Sequence, residues 1–269
     1  MPELPEVETT RKGIEPHICG NTISDIVVRQ PKLRWPVSEQ LQQLVGNAIT
    51  EVGRRGKYLL LETSGGTCLI HLGMSGSLRI TDLSVTPEKH DHVDIVFGNG
   101  VVLRLRDPRR FGAVLWSGCG GLHPLLIKLG PEPLTDEFNA EYLFERSRKR
   151  RINVKALIMD AHVVVGVGNI YANEALFGAG IDPRKAAGEV TKQCCVNLVA
   201  EIKQVLQQAI KQGGTTLRDF VREDGQTGYF QIELKVYGRT GETCVACGVL
   251  LEQIRQAQRS TWFCPNCQQ

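Results

Sequence analysis

The first residues of the chain, Met1, Pro2 and Glu3, carry the groups best suited to covalent chemistry. Removal of Met1, which a small second residue permits, leaves Pro2 with a terminal secondary amine. Because an α-amine has a pKa of about 7.7–8.0, part of it is neutral and nucleophilic near pH 7. Such an amine attacks a carbonyl carbon and forms a Schiff base, with Glu3 or Glu6 as proton carrier. The alternative is structural, since Pro and Glu both favour the first turn of a helix.

Four of the nine cysteines are spaced as ligands of one metal ion. Cys244 and Cys247 form one C-x2-C pair, and Cys264 and Cys267 form another. Two such pairs present four thiolates to zinc and leave no open ligand position, so we expect a structural zinc ion. The alternative is a redox dithiol, which two matched pairs disfavour. We expect no functional role for the other cysteines, which are Cys19, Cys68, Cys119, Cys194 and Cys195.

Two further segments have the composition of a site for a DNA backbone. Residues 146–155, RSRKRRINVK, are densely basic, as in a solvated face or a nucleic-acid site. In residues 165–174, VGVGNIYANE, two glycines permit a tight turn and Asn169 opens a helix. The unsatisfied N–H groups at a helix start bind phosphate. The alternative for the second segment is an ordinary helix-turn-helix packing motif with an asparagine cap.

Residues 106–112, RDPRRFG, combine adjacent arginines with Phe111 in a turn that Asp107 and Pro108 begin. An arginine and an aromatic ring at a loop tip suit insertion into a base stack. The alternative is a hairpin tip with a half-buried Phe111.

Length, charge and hydropathy limit the class of protein. A chain of 269 residues, 42% of them hydrophobic, supports a sizeable core and about two domains. No apolar run reaches the roughly 20 residues of a membrane span. The acidic N-terminus also lacks the pattern of a signal peptide, so we expect a soluble, cytosolic protein. The net charge of +3 is mild, and its distribution is more informative.

A helix, a strand-rich region and a helical region position these groups. We predict a first helix over residues 3–15 that ends near Gly13 and Pro16. Periodicity predicts strands over residues 22–29, 48–54, 57–63, 67–72, 77–81, 92–97, 101–106 and 113–116. Many short strands at this spacing indicate a sandwich or a flattened barrel. Helices are expected over residues 139–148, 153–161, 170–177 and 191–212, with a short helix at 215–220 and a polar loop at 224–229.

Several motifs together resemble one family. The matching segments are PELPEVET, RRGKYLL around Lys57, HLGMSGSLR around Met74, EKHDH around His90, DPRRFG, VGVGNIYANE, GGTTLRDF and QAQRSTWFC. Over essentially its whole length the chain resembles bacterial formamidopyrimidine-DNA glycosylases, of the wider family that also contains endonuclease VIII. The resemblance implies excision of 8-oxoguanine and formamidopyrimidines, followed by cleavage of the abasic strand through β,δ-elimination.

The resemblance also implies an α+β multidomain fold. An N-terminal β-sandwich with an N-terminal helix would occupy residues 1–120, followed by a linker at 121–136. A helix–two-turn–helix domain with a lesion-facing loop would occupy residues 137–230, and a β-hairpin zinc finger residues 235–269. The expected partner is duplex DNA with oxidised purines, in a basic cleft between domains. We expect a monomer with one structural zinc ion, cytoplasmic in a bacterium and associated with the nucleoid through DNA.

By the same resemblance, individual residues acquire roles. Pro2 is the Schiff-base nucleophile and Glu3 the principal acid–base, while Lys57 and Arg259 donate protons in β- and δ-elimination. The implied DNA contacts are His90, Arg109, Arg150, Lys155 and Asn169, with Met74, Arg109 and Phe111 filling the gap left by the flipped nucleotide. Relatives can carry Lys at the position of Arg150. A phosphate contact survives that exchange, although a bidentate geometry differs.

Two other functions share part of this pattern. Endonuclease VIII prefers oxidised pyrimidines and has a similar N-terminus, but Leu4 and the set Met74, Arg109 and Phe111 speak against it. A DNA-binding protein that has kept the fold and lost catalysis is disfavoured by the intact Pro2, Glu3 and Lys57.

Overall fold

A computed structural model describes residues 2–119, 121–213 and 234–269. The chain divides into two compact units at Ile127 and Lys128, inside the segment that the sequence assigns to a linker. The second unit contains residues 128–212 and the described residues from 234 to the end. Within the described residues, no helix is long and apolar enough to cross a membrane.

The first helix, α1, spans Leu4–Ile18. It begins with a capping interaction, in which the Glu6 carboxylate accepts the backbone N–H of Glu3 at 2.8 Å. The helix continues through Pro16, so the predicted end near Gly13 and Pro16 is wrong. Proline removes one backbone hydrogen bond. Burial of Ile14 and Ile18, which are fully enclosed in the core, outweighs that loss.

Eight described strands of the first unit form two antiparallel sheets. Their bounds are β1 Ile23–Val28, β2 Glu51–Arg55, β3 Tyr58–Thr63, β4 Gly66–His71, β5 Ser77–Asp82, β6 Asp91–Phe97, β7 Val101–Arg106 and β8 Ala113–Ser117. One sheet has the order β1-β6-β7-β5 and the other β2-β3-β4-β8. Apolar residues of both sheets and of α1 share one core. The predicted sandwich and its strands are confirmed, whereas a 3-10 helix at Glu39–Leu44 and the short helix α2 at Pro124–Ile127 were not predicted.

The second unit begins with a helical part that confirms the four predicted helices. They are α3 Ala140–Ser147, α4 Val154–Met159, α5 Asn169–Gly178 and α6 Lys192–Lys211, with a 3-10 helix at Ala187–Glu189. The side chains of Asn139, Asn153 and Thr191 accept backbone N–H groups at the starts of α3, α4 and α6, as N-caps do. The predicted helix at 215–220 and loop at 224–229 lie outside the described residues.

The chain ends in an antiparallel hairpin of β9 Glu252–Gln256 and β10 Arg259–Phe263, which confirms the predicted zinc-module hairpin. Its two-residue turn holds Ala257 and Gln258 at φ 45° and 63°. Left-handed backbone at both positions matches a type I′ hairpin turn. The hairpin packs on a small core that includes Phe177, Val236 and Leu251.

Candidate active site and nucleic-acid interface

The N-terminal segment places an acid beside the candidate nucleophile. Pro2 is half-buried and directly precedes Glu3, which is only 1% exposed. Glu3 lies in extended backbone at the start of α1, with φ −105° and ψ −170°. The helix start therefore holds the Glu3 backbone, and with it the end of the chain, in a defined position.

Arg54 ties this helix to the turn that carries Lys57. Its Nε donates to Glu8 of α1 at 2.9 Å, and its Nη1 donates to the Gly56 carbonyl at 2.9 Å. Burial would raise the pKa of Glu8, but hydrogen bonds from Arg11 and Arg54 lower it below its usual value. Glu8 is thus an ionised structural anchor. Sequence reasoning missed this pair, although RRGKYLL contains Arg54.

His71 connects the Lys57 region to the Met74 loop. Its Nδ1 accepts the Gly73 N–H at 2.9 Å. Burial lowers the pKa of His71 to about 4, and the charges of Lys57 and Arg34 act in the same direction. The imidazole is therefore neutral at pH 7, and its proton lies on Nε2 because Nδ1 is an acceptor. Sequence reasoning missed His71, which lies within the HLGMSGSLR segment.

Met74, His90, Arg109 and Phe111 belong to loops that contact one another. Met74 and Phe111 are 41% and 43% exposed, so both of these large apolar side chains reach solvent. The Arg109 guanidinium lies 4.8 Å from the centre of the Phe111 ring. The carbonyl of His90 accepts the Asp107 N–H at 3.0 Å. These four predicted site residues are brought together at one end of the sandwich.

The basic segment 146–155 has two kinds of residue. Arg148 stacks 4.1 Å from the centre of the Phe144 ring and donates to the Gly188 carbonyl at 2.7 Å. Arg146 donates to the His162 carbonyl at 3.2 Å. These two arginines have structural partners. Lys149 and Arg151 are exposed, and Arg150 between them is half-buried.

Lys155 and Asn169 converge on strand β10, next to Arg259. Lys155 is 2% exposed, and its Nζ donates to the Ser260 carbonyl at 2.9 Å. The Asn169 Nδ2 donates to the same carbonyl at 3.1 Å. The Asn169 Oδ1 is buried and has no hydrogen-bond partner among the described residues. Asn169 is also the first residue of α5, so both predicted phosphate ligands lie near a helix start and near Arg259.

Glu174 is a further residue that sequence reasoning did not single out. Its carboxylate accepts three backbone N–H groups at 2.9, 3.0 and 2.9 Å, from Lys235, Val236 and Tyr237. Three such donors satisfy a carboxylate that is almost fully buried. Glu174 therefore fixes the chain that leads into the final hairpin.

The four paired cysteines form one cluster. Their sulfur atoms all lie within 4.8 Å of one another, and the pairs Cys244–Cys267 and Cys247–Cys264 are 3.9 and 3.5 Å apart. A tetrahedral zinc ion with bonds of about 2.3 Å separates its sulfur ligands by about 3.8 Å. The cluster thus fits one zinc ion with no open position for a substrate.

The chain matches three family descriptions in sequence. Residues 1–114 match "Formamidopyrimidine-DNA glycosylase N-terminal domain", and residues 129–221 match "Formamidopyrimidine-DNA glycosylase H2TH domain". Residues 241–269 match "Zinc finger found in FPG and IleRS". The formamidopyrimidine-DNA glycosylases of Thioalkalivibrio sulfidiphilus and Vibrio atlanticus are 58% and 55% identical to it, each over 100% of both chains.

Solved structures share the fold over the same length. A variant of the Lactococcus lactis Fpg protein, in complex with DNA containing Fapy-dG, has a TM-score of 0.92 and 37% identity over 100% of both chains. The Lactococcus lactis Fpg complex with abasic-site DNA has a TM-score of 0.91 and 36% identity, also over 100% of both chains. The MutM (FPG) protein of Thermus thermophilus has a TM-score of 0.88 and 39% identity over 99% of this chain and 98% of its own.

Proposed function

The chain belongs to the formamidopyrimidine-DNA glycosylase family, and from this premise we propose a DNA base-excision repair enzyme. It removes oxidised purines, 8-oxoguanine and formamidopyrimidines, from duplex DNA and then cleaves the abasic strand. The observation that carries the proposal is Pro2 directly before the buried Glu3, in a chain that matches such enzymes along its full length. We place its action on bacterial nucleoid DNA in the cytoplasm, as a monomer.

The proposed reaction begins at the Pro2 amine. A damaged base cannot be reached within the duplex, so it is flipped out. The Pro2 nitrogen attacks C1′ of the sugar, and the base leaves with a proton from an acid, a role that we assign to Glu3. The nitrogen then loses its proton, the C1′–O4′ bond breaks as O4′ takes up a proton, and the sugar ring opens. The resulting Schiff base of a secondary amine is necessarily a cationic iminium. Because the iminium withdraws electrons, the C2′ proton becomes acidic.

Loss of that proton drives strand cleavage. The electrons released at C2′ expel the 3′ phosphate in β-elimination, and a second elimination expels the 5′ phosphate. Lys57 donates a proton in the first step and Arg259 in the second. Support for Lys57 comes from the Arg54 contacts, which tie its turn to α1 and hence to the segment of Pro2. In each elimination a C–H bond loses its proton and the phosphate leaves with the electron pair of its C–O bond, so the reaction needs no oxidant or reductant.

The remaining site residues are proposed as DNA contacts. His90, Arg109, Arg150 and Asn169 hold the backbone, and Met74, Arg109 and Phe111 enter the gap left by the flipped nucleotide. Lys155, which is 2% exposed and whose ammonium donates to Ser260 and Thr261, supports the backbone contact from inside the protein by holding β10 beside Asn169. Exposure of Met74 and Phe111 supports this role, since apolar side chains inserted between base steps are a known way to kink DNA. The zinc ligands Cys244, Cys247, Cys264 and Cys267 hold the hairpin that carries Arg259.

Borohydride trapping tests the proposal. The protein, with Met1 removed, is mixed with duplex DNA carrying 8-oxoguanine opposite cytosine, and borohydride reduces the iminium to a stable amine. We expect a covalent protein–DNA adduct that peptide mapping assigns to Pro2. An adduct at Lys57 would overturn the nucleophile assignment. A duplex with an oxidised pyrimidine is run in parallel, and faster excision from that duplex would favour the endonuclease VIII specificity.

A further inference from the structure

Asp107 links two loops that the proposed function treats as separate. It is 0% exposed. One carboxylate oxygen, Oδ1, accepts a hydrogen bond from the Ser75 hydroxyl at 2.7 Å. The other, Oδ2, accepts the Gly112 N–H at 2.7 Å. One buried side chain therefore holds the residue after Met74 and the residue after Phe111.

The strand register explains why these loops meet. β5 pairs antiparallel with β7, and Ser77 lies opposite Arg106. The loop before β5 and the loop after β7 consequently leave the sheet at the same end of the two strands. Ser75 also accepts the Arg109 N–H at 3.2 Å, so its hydroxyl bridges Asp107 and the backbone that carries Arg109.

The two loops are in direct backbone contact. A Cβ added at Gly73, which has φ +65°, would lie 2.4 Å from the carbonyl carbon of Phe111. Only glycine, which has no Cβ, permits both this backbone conformation and this close approach at position 73. Displacement of one loop must therefore move the other.

A strained residue shapes the tip of the second loop. Arg110 has φ 55°, a left-handed conformation that is uncommon for a residue with a side chain. Its N–H donates to the Asp107 carbonyl at 3.2 Å. This turn sets Arg109 over the Phe111 ring. Such strain persists only where surrounding contacts hold it, and Asp107 supplies several of them.

We propose that Asp107 and Ser75 are positioning residues. They hold Met74, Arg109 and Phe111, before DNA binds, in the arrangement in which these side chains fill the gap left by the flipped-out nucleotide. The inference rests on the proposed function and deepens it. A group that is already ordered before binding loses less conformational entropy when it enters the duplex. Flipping costs stacking and pairing energy, and the part of that cost which these three side chains recover then depends on the Ser75–Asp107 contact.

Single-turnover excision by Ser75→Ala tests the inference, with 8-oxoguanine opposite cytosine and opposite adenine. We expect excision opposite cytosine to slow about ten-fold, the loss typical of one hydrogen bond to a charged acceptor, and the ratio between the two duplexes to shrink. Ser75→Thr retains the hydroxyl and should restore both the rate and the ratio. Ser77→Ala is the matched control, because its hydroxyl makes no hydrogen bond within the described part of the chain, and should behave as the unaltered protein.

Trapping on a single-stranded abasic oligonucleotide separates the inference from its premise. This substrate has no opposite strand and no gap to fill, so Ser75→Ala should give a Pro2 adduct within about two-fold of the unaltered protein. Absence of a Pro2 adduct with the unaltered protein on the 8-oxoguanine duplex sinks the proposed function itself. If Ser75→Ala and the unaltered protein have equal excision rates and equal ratios on the two duplexes, the inference is overturned and the proposed function stands. Loss of trapping by Ser75→Ala on the single strand also overturns it, because Ser75 would then support the fold as a whole.

Discussion

The Lys155 ammonium donates a hydrogen bond of 2.7 Å to the Thr261 hydroxyl, and both side chains are buried. Lys155 lies on α4 and Thr261 on β10, the strand that Arg259 begins. A second bond from Lys155 reaches the Ser260 carbonyl at 2.9 Å. The lysine thereby fixes the strand that presents the proposed donor for δ-elimination.

We predict that Thr261→Val lowers the ratio of δ- to β-elimination product. Valine has nearly the same shape but no hydroxyl, so the buried ammonium loses one acceptor. Loss of such a contact costs about 1–3 kcal/mol. We expect this loss to let β10, and with it Arg259, shift from its position. Gel analysis of the cleavage products on an abasic duplex gives the ratio. Thr261→Ser retains the hydroxyl and should preserve the ratio, while an unchanged ratio in Thr261→Val would remove Lys155 from this positioning role.

Glu3→Gln should separate base excision from strand cleavage. Glutamine keeps the size of this buried side chain but cannot deliver a proton to the departing base. Excision of 8-oxoguanine should fall by roughly 10²–10⁴, the usual contribution of a general acid, whereas a preformed abasic site is still cleaved. The Arg11 partner Glu15 offers a control, and Glu15→Gln should leave both activities intact. Equal losses of both activities in Glu3→Gln would contradict the assignment.

Removal of one zinc ligand should abolish DNA binding. Structural zinc contributes folding free energy directly, so Cys247→Ser should release the metal and disorder the hairpin that carries Arg259. Metal content and DNA affinity are measured on the same preparation. Cys19→Ser changes an exposed cysteine outside the cluster and should alter neither. Normal DNA binding by metal-free Cys247→Ser would refute the expectation, and Arg259→Ala with zinc retained tests that side chain alone.

Arg109→Ala should reduce discrimination by the opposite base. A guanidinium only donates hydrogen bonds, and orphaned cytosine offers the acceptors O2 and N3, whereas adenine places an N6 donor beside N1. We therefore expect the unaltered protein to excise 8-oxoguanine faster opposite cytosine than opposite adenine. In Arg109→Ala this ratio should shrink and binding should weaken. Arg110→Asn is the neighbouring control, since asparagine tolerates its left-handed backbone. Equal slowing of both duplexes by Arg109→Ala would reduce Arg109 to a phosphate or stacking contact.

His71 should make the first unit less stable in mild acid. Its folded-state pKa of about 4 lies below the ordinary value of 6.5, so the unfolded chain binds the proton first. The stability that this residue contributes is complete above pH 6.5 and is lost as the pH falls towards 4. The loss is up to roughly 3 kcal/mol.

Denaturant titrations at pH 7 and pH 4.5 measure this effect. In His71→Asn the amide oxygen retains an acceptor for the Gly73 N–H but does not titrate, so the free energy of unfolding should fall less between the two pH values. An equal fall in the variant and the unaltered protein would exclude His71 as a source of the pH dependence.

Much of the fold and part of the site are local in sequence. The alternation of apolar residues predicted the strands, because a sandwich buries one face of each strand. Each zinc knuckle is a short C-x2-C segment, so its spacing alone predicted the metal site. Pro2 and Glu3 are neighbours, but the residues alone left a structural role open, and the family resemblance favoured the catalytic one. The sequence did not predict that α1 continues through Pro16, because burial of Ile18 in a core built by distant strands decides where that helix ends.

The sequence by itself predicted the Pro2–Glu3 pair and determined the four zinc ligands, since each group consists of residues next to or a few positions from one another in the chain. Only the tertiary structure decided which basic residues stay internal. Composition treats Arg148, Arg151 and Lys155 alike, yet backbone carbonyls hold Arg148 and Lys155 while Arg151 is exposed. Tertiary structure also decided the Ser75–Asp107 contact, because the pairing of β5 with β7 sets that distance and these two strands are not consecutive in the chain, so no hairpin turn fixes their register.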